Sequence, residues 1–165
     1  MNYGYITVAS AIPSVRVADA DYNIKQIESL IAQAEGKGAE IIVFPELSVT
    51  GYSCQDLFAQ QTLLDQTEMK ILQLLDFSRK LDIICIVGAP VCIGTGLYNC
   101  AVVCQHGNIL GIVPKRFLPN YAEFYEKRWF ASADDLDSPI EVRFAGNTIT
   151  VSSDIQLFQT CDGVK

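Results

Sequence analysis

The stretch Ile41-Ile42-Val43-Phe44-Pro45-Glu46 joins a short apolar run to a proline and a carboxylate. The run of large and β-branched residues predicts a buried strand. Proline has no N–H to donate to a sheet ladder, so Pro45 marks the end of that strand. The sequence therefore predicts that Glu46 lies at the rim of a sheet.

A second stretch, Ile109-Leu110-Gly111-Ile112-Val113-Pro114-Lys115, has the same pattern with the opposite charge. We expect a second strand that brings the ammonium group of Lys115 to a sheet rim. A carboxylate that accepts protons and a fixed cation that stabilises an oxyanion are two parts of a covalent hydrolase. A lone glutamate or lysine is usually a solvated charge. The two matching stretches together favour the catalytic interpretation.

The composition limits the class of protein. The chain has 165 residues, about one domain by length, and half of them are hydrophobic. The net charge of −7 argues against a nucleic-acid partner, which needs basic patches. No membrane partner is expected, because the longest apolar run is far shorter than a membrane span. The N terminus lacks a signal-peptide pattern, and we therefore expect a cytoplasmic protein.

Six cysteines raise the question of disulfides and metal ligands. Several lie in apolar, strand-like runs, where reduced cysteine behaves as a small hydrophobe, and the expected compartment is reducing. We therefore expect six free thiols. Cys100 and Cys104 are neighbours on one strand without the spacing of a zinc knuckle, so no metal site is expected. The sole histidine, His106, is interpreted as a turn residue rather than a catalyst.

Hydrophobic periodicity predicts a strand–helix–strand unit at the start of the chain. We expect a strand over 5–11, a helix from Asp19 or Asp21 to about Lys37, and a strand over 41–44. The two strands of such a unit are expected to be parallel and adjacent, with a right-handed crossover.

The rest of the chain mixes a further helix with hairpins. The expected elements are a helix over about 67–80, a strand over 83–87, and hairpins over 97–113 and 140–151. Gly88 and Pro90 are expected to end the strand before them. The segment 116–139 has no clear periodicity but is rich in aromatic residues, which predicts an ordered loop beside Lys115. The predicted class is α/β, of mixed α+β type, with helices on the outer face of a mixed sheet or of two sheets.

Two motifs resemble those of a known family. The segment Phe44–Phe58 resembles the glutamate motif of the nitrilase, or carbon–nitrogen hydrolase, superfamily. The continuation Ser53–Phe58 and the segment Lys115–Phe130 are similar to a narrower group, the N-terminal glutaminase domains of glutamine-dependent NAD synthetases. The resemblance covers nearly the whole chain, so residues 1–165 are interpreted as a partial carbon–nitrogen hydrolase domain.

The resemblance implies an α-β-β-α sandwich, incomplete at the C terminus, and a Glu-Lys-Cys triad. Glu46 matches the general base and Lys115 the lysine that stabilises the oxyanion. Glu123 falls where many members have a second glutamate that supports the lysine and the nucleophile. Tyr52 and Tyr121 match residues that line the glutamine pocket. In such enzymes a cysteine thiolate attacks the side-chain amide of glutamine, ammonia leaves, and water hydrolyses the thioester to glutamate.

The nucleophile of the family is not matched in this sequence. The family's cysteine follows a strand, and the sequence ends just before the corresponding segment. Cys161 lies in a turn-like Cys-Asp-Gly context, so no nucleophile is expected in the chain and the fragment is expected to be inactive.

The resemblance also implies a C-terminal synthetase domain that is absent from this chain. That domain uses ATP and Mg to amidate nicotinic acid adenine dinucleotide to NAD with the ammonia released. The expected partners are therefore glutamine, the synthetase domain and further copies of the chain in a homo-oligomer. The chain itself is expected to hold no cofactor.

Two other functions stay open. One is a free-standing nitrilase-superfamily amidase or carbamoylase, and the other is a non-catalytic interaction domain of the same fold. The continuation Ser53–Phe58 and the run Asn120–Arg128 favour the synthetase. The sequence downstream of Lys165 would discriminate between these three functions. A synthetase would continue into an adenylating domain with a Ser-Gly-Gly-x-Asp-Ser type pyrophosphate loop.

Overall fold

The computed structural model describes residues 4–159, and its centre is a five-stranded mixed sheet with the strand order β1-β2-β3-β4-β5. The strands are β1 (Val8–Ser10), β2 (Ile41–Val43), β3 (Ile84–Ile93), β4 (Gly96–Gln105) and β5 (Asn108–Pro114). Neighbours from β1 to β3 are parallel, and neighbours from β3 to β5 are antiparallel. The predicted α/β class with a mixed sheet is confirmed.

Two helices pack with the sheet in one apolar core. Helix α1 (Ala20–Gly36) joins β1 to β2, which confirms the predicted parallel unit, and helix α2 (Gln61–Ser78) precedes β3. Asp19 caps α1, because its side chain accepts a hydrogen bond from the N–H of Tyr22. Helix α2 begins earlier than predicted. Its first turn contains Leu63, which is buried in a second small apolar cluster.

Strand β3 does not end at Gly88 and Pro90, as the sequence predicts, but continues to Ile93. Its ladder with β2 reaches only Ile86, so in the described part of the chain the rest of β3 has a strand partner on one side alone. A residue without an N–H is tolerated on such a one-sided strand. A Cβ atom at Gly88 would stand 2.6 Å from the carbonyl oxygen of Pro45. Gly88 is therefore a point of close approach between chain segments.

Both predicted hairpins are present. Strands β4 and β5 join through His106 and Gly107, and β6 (Ile140–Phe144) joins β7 (Asn147–Val151) through Ala145 and Gly146. Each turn has positive φ at both of its residues, 50° and 79° in the first and 47° and 74° in the second. This backbone matches the right-handed twist of paired strands. The second hairpin contacts β5 and β3 and contributes to the main core.

The cysteines of the described region are free thiols, as predicted. Cys54, Cys85, Cys100 and Cys104 are buried, and Cys92 is exposed. The remaining cysteine, Cys161, lies outside the described residues. Within residues 4–159 no group of three or more His, Cys, Asp or Glu side chains could hold a metal ion. In the same range, neither helix combines the length and the apolar character that a membrane crossing requires.

Candidate active site

Glu46 begins a sharp turn three residues after the end of β2. The next residue, Leu47, has a left-handed φ of 52° and is fully buried. A leucine rarely adopts this conformation, and burial of its side chain holds it there. Two hydrogen bonds connect the turn to β3, one donated by the turn and one accepted by it. Val49 N donates to Gly88 O at 3.1 Å, and Gly88 N donates to Ser48 Oγ at 3.2 Å.

Lys115 lies directly after β5 and continues the ladder of the sheet. Its N–H donates to the carbonyl oxygen of Asn99 on β4 at 2.8 Å. Because β4 also pairs with β3, the lysine and the Glu46 turn are fixed to the same rim through neighbouring strands. This placement follows from the register of the sheet and needs no contact between the two side chains.

The two side chains nevertheless meet. The Nζ atom of Lys115 is 2.7 Å from Oε2 of Glu46, and Nδ2 of Asn99 donates to the same oxygen at 3.0 Å. All three residues line a cavity of about 270 Å³, together with Gly88. The carboxylate and the ammonium that the sequence places at sheet rims therefore lie together at one cavity.

A second carboxylate holds the other side of the ammonium. Lys115 Nζ donates to Oε1 of Glu126 at 3.0 Å, and the hydroxyl of Tyr52 donates to the same oxygen at 2.6 Å. The side chain of Glu126 is only 2% exposed, whereas that of Glu46 is 52% exposed. Among the described residues, Oε2 of Glu126 has no hydrogen-bond partner. The ammonium therefore bridges one buried and one exposed carboxylate.

These contacts shift two pKa values. Burial of Lys115 by itself lowers its pKa, but hydrogen bonds and charges from Glu46 and Glu126 outweigh burial, and the pKa of Lys115 is raised. Burial raises the pKa of Tyr52 well above its ordinary range, and its hydrogen bond to Glu126 and the charges of both carboxylates add to this effect. At neutral pH the site holds a charged lysine and an uncharged phenol.

The glutamate that supports Lys115 in the structure is not the one expected from the sequence. Glu123 is exposed, and the residue that contacts Lys115 is Glu126, three residues later. Tyr121 is 70% exposed, packs edge-on against Phe124, and does not line the cavity beside Lys115. A role of Tyr121 or Glu123 in binding substrate stays a prediction.

Sequence reasoning missed two residues of this site. Asn99 had a usable signal, because an amide inside an otherwise apolar strand is unusual and needs a partner. Glu126 had none, because it shares an aperiodic segment with Glu123 and spacing does not choose between them. Its position depends on how the loop packs, through Tyr52 and the main chain of Pro119, whose carbonyl accepts from Glu126 N at 3.2 Å.

No cysteine in residues 4–159 is placed as a nucleophile at this pocket. Cys100 contributes to the wall of the cavity, but it follows Asn99 on β4, and successive strand residues face opposite sides. Its thiol therefore belongs to the core. Burial raises the pKa of the Cys100 thiol far above its ordinary value. The expectation about Cys161 falls on a residue outside the described range.

Comparison with known proteins identifies the family of the chain. Residues 7–160 match the carbon–nitrogen hydrolase family. The chain belongs to the carbon–nitrogen hydrolase family. It is 36% identical over 160 residues to the glutamine-dependent NAD(+) synthetase of Mycobacterium tuberculosis, an alignment that covers 97% of this chain and 23% of that enzyme. The chain thus spans about a quarter of the length of the curated relatives that it matches.

Solved structures of a synthetase and of an amidase share the fold. A glutamine-dependent NAD(+) synthetase from Cytophaga hutchinsonii superimposes with a TM-score of 0.80 at 27% identity, over 88% of this chain and 24% of that one. An amidase of the nitrilase superfamily from Nesterenkonia AN1 superimposes with a TM-score of 0.66 at 22% identity, over 89% of this chain and 55% of that one. The amidase likeness concerns the fold alone. The nitrilase-like fold implied by the sequence motifs is confirmed.

Proposed function

We propose that this chain supplies the general base and the oxyanion-stabilising cation of a site that hydrolyses the side-chain amide of glutamine. The observation that carries the proposal is the 2.7 Å contact between Glu46 Oε2 and Lys115 Nζ at the mouth of a shared cavity. The ammonia released would serve the ATP-dependent amidation of nicotinic acid adenine dinucleotide to NAD. The 36% identity to glutamine-dependent NAD(+) synthetases supports this reaction over that of a free-standing amidase.

The hydrogen bonds assign separate tasks to the two oxygens of Glu46. Oε2 is occupied by Lys115 and Asn99, whereas Oε1 accepts no hydrogen bond from residues 4–159. We infer that Oε1 takes the proton of the attacking thiol, since a base must lie within hydrogen-bond reach of the proton it removes. Asn99 and Lys115 then orient the carboxylate rather than compete for its reactive oxygen.

The remaining steps follow from the fixed ammonium. A thiolate attacks the amide carbon, a C–S bond forms, and negative charge develops on the carbonyl oxygen, where Lys115 stabilises it. The C–N bond then breaks, and the nitrogen leaves as ammonia with the proton that Glu46 holds. Glu46 next takes a proton from water, and the water oxygen forms a C–O bond with the thioester carbon. The C–S bond then breaks, glutamate leaves, and Glu46 returns the proton to the thiolate. The thiol would come from outside residues 4–159, because the one described cysteine that lines the pocket, Cys100, is buried in the core.

The proposal extends to the surroundings of the site. It assigns residues 1–165 to part of a glutaminase domain that is inactive alone and works with a synthetase domain that binds ATP and Mg. A reducing, cytoplasmic compartment fits the five free thiols of residues 4–159. Exposed apolar side chains such as Ile12, Phe117 and Ile155 support contact with further protein surface, including other copies of the chain.

The test is glutamine hydrolysis by the polypeptide extended at its C terminus through the next cysteine, measured as glutamate and ammonia. Glu46→Gln and Lys115→Met should each reduce turnover by about 10³-fold, because proton transfer and oxyanion stabilisation each contribute on that scale. Lys127→Met is the control, since Lys127 is an exposed lysine of the same segment. Near-normal thioester formation by either site variant would contradict the roles assigned. Preference for simple aliphatic amides over glutamine would favour the amidase.

A further inference from the structure

One exposed cluster joins the two segments whose sequences resemble the synthetase group. Arg128 donates from Nε and Nη2 to the two carboxylate oxygens of Asp56, at 2.8 and 3.1 Å. The indole Nε1 of Trp129 donates to Oδ1 of Asp56 at 2.9 Å. A planar guanidinium that meets a carboxylate at two points fixes orientation as well as distance. Asp56, Arg128 and Trp129 are called the clasp below.

The clasp lies beside the Tyr52–Glu126 hydrogen bond and connects the same two segments. Asp56 belongs to the 3₁₀ segment Tyr52–Ala59, which begins with Tyr52. Arg128 ends the short 3₁₀ turn that begins with Glu126. The two segments are therefore joined twice, once at the buried site by Tyr52 and Glu126 and once at the surface by the clasp.

The segment that contains Tyr52 needs such a second attachment. Its backbone is not a continuous helix, because Ser53 and Gln55 have non-helical dihedral angles and Gln55 has a φ of 51°. No regular hydrogen-bond ladder therefore transmits the orientation of the segment to Tyr52. The buried side chains of Cys54 and Phe58 anchor the inner face of the segment, and the rings of Phe58 and Phe130 lie 4.9 Å apart.

We propose that the clasp is a positioning element that holds the phenol of Tyr52 against Glu126 and so fixes the carboxylate that supports Lys115. The proposal rests on the proposed function and deepens it, since it explains why the two motifs belong to one site. Asp56 and Arg128 are 70% and 63% exposed, and exposed ion pairs contribute little to stability. The role of the clasp is therefore geometric.

Asp56 is charged across the whole physiological pH range. The hydrogen bonds from Arg128 and Trp129 lower the pKa of Asp56 to about 2. A charged carboxylate at this position is consequently a constant feature of the protein.

The chain contains a single tryptophan, which provides a direct probe. In the ¹⁵N-labelled full chain the one indole resonance belongs to Trp129, and the ¹³Cζ resonance of Tyr52 can be assigned with Tyr52→Phe. Asp56→Asn should move both resonances. Arg128→Lys, which keeps the charge but loses the two-point geometry, should move the Tyr52 resonance in the same direction. Asp137→Asn, an identical change at an exposed aspartate outside the clasp, should move neither.

The activity of the C-terminally extended polypeptide gives a second readout. Asp56→Asn should lower kcat for glutamine about tenfold and leave KM within about twofold, because misplaced groups cost rate more than binding. The proposal is overturned if the indole resonance moves while Tyr52 does not, since the clasp would then be a local ion pair only. If the extended wild type does not hydrolyse glutamine, the proposed function fails, and the two resonances still decide the clasp.

Discussion

Glu46 and Glu126 contact the same ammonium, yet the chain brings them there by different routes. Glu46 and Lys115 each follow a strand of one sheet, so the register of that sheet places them. Glu126 comes from a short 3₁₀ turn in an aperiodic segment and is almost fully buried. The sheet thus presents an exposed carboxylate to the pocket, and the loop adds a buried one behind the lysine.

The difference has an energetic consequence. Glu126 is a buried charge, and its compensation comes from one ammonium and one phenol. Glu46 is exposed and also accepts a hydrogen bond from Asn99. Water and the sheet therefore both help to stabilise its negative charge. Loss of Lys115 should therefore destabilise the loop side of the site, which carries Glu126, more than the sheet side, which carries Glu46.

The largest effect is expected from Lys115→Met. This variant leaves Glu126 buried with no positive partner among the described residues, which should lower the free energy of unfolding by about 3 kcal/mol or more. Urea unfolding of the chain measures the change. Lys127→Met, at an exposed lysine of the same segment, should stay within about 0.5 kcal/mol of wild type. Equal losses in the two variants would mean that the buried carboxylate does not depend on Lys115.

A somewhat smaller effect is expected where the sheet meets the Glu46 turn. In Gly88→Ala the new Cβ would lie 2.6 Å from Pro45 O and 2.7 Å from the carbonyl carbon of Glu46, so backbone must move. We expect a loss of about 2 to 3 kcal/mol in urea unfolding. Gly36→Ala is the control, because a Cβ there meets nothing within 4 Å and alanine favours a helix. That variant should be as stable as wild type or slightly more stable.

Glu126→Gln tests the loop side directly against Glu123→Gln. Glutamine can still accept the hydroxyl of Tyr52 but loses the charge that faces Lys115, so stability should fall by about 1 to 2 kcal/mol. The pKa of Lys115 should move down, because one of its two carboxylates is removed. Glu123→Gln should change neither quantity. The opposite ranking would show that the supporting glutamate is the one named from sequence.

The smallest effect concerns alkaline pH. The pKa values of Lys115 and Tyr52 are raised in the folded state, so their stabilisation is complete below the unfolded values of about 10 and is lost above them. The loss should stay below about 1.4 kcal/mol per pH unit for each group, since Tyr52 is partly exposed. Unfolding free energies between pH 9 and pH 12 should fall less steeply in Tyr52→Phe. If the slope of unfolding free energy against pH is the same as in wild type, the ionisation of Tyr52 does not contribute to the loss of stability.

The sequence predicts the sheet side of the molecule well. The strand–helix–strand unit, both hairpins and the meeting of Glu46 with Lys115 follow from apolar periodicity and from proline at strand ends. The pattern fails at Gly88, since the glycine permits close approach of another segment instead of ending a strand. It also fails at the start of α2, where Leu63 packs with a loop cluster.

The loop side could not be predicted in the same way. Glu123 and Glu126 differ in environment only because the segment packs Glu126 inward through contacts with distant residues. Such contacts leave no period in the sequence. A polar residue on an apolar strand, such as Asn99, is the one kind of signal that would have improved the description of the site.

The most direct test of the central claim is the ammonium resonance of Lys115 in ¹⁵N-lysine-labelled chain, identified by its loss in Lys115→Met. The geometry places two carboxylate oxygens at 2.7 and 3.0 Å from this nitrogen. We expect a resonance that is protected from rapid exchange and that shifts separately in Glu46→Gln and in Glu126→Gln. The shared site would be contradicted if the ammonium protons of Lys115 exchange with water as fast as those of surface lysines and the resonance does not shift in Glu46→Gln.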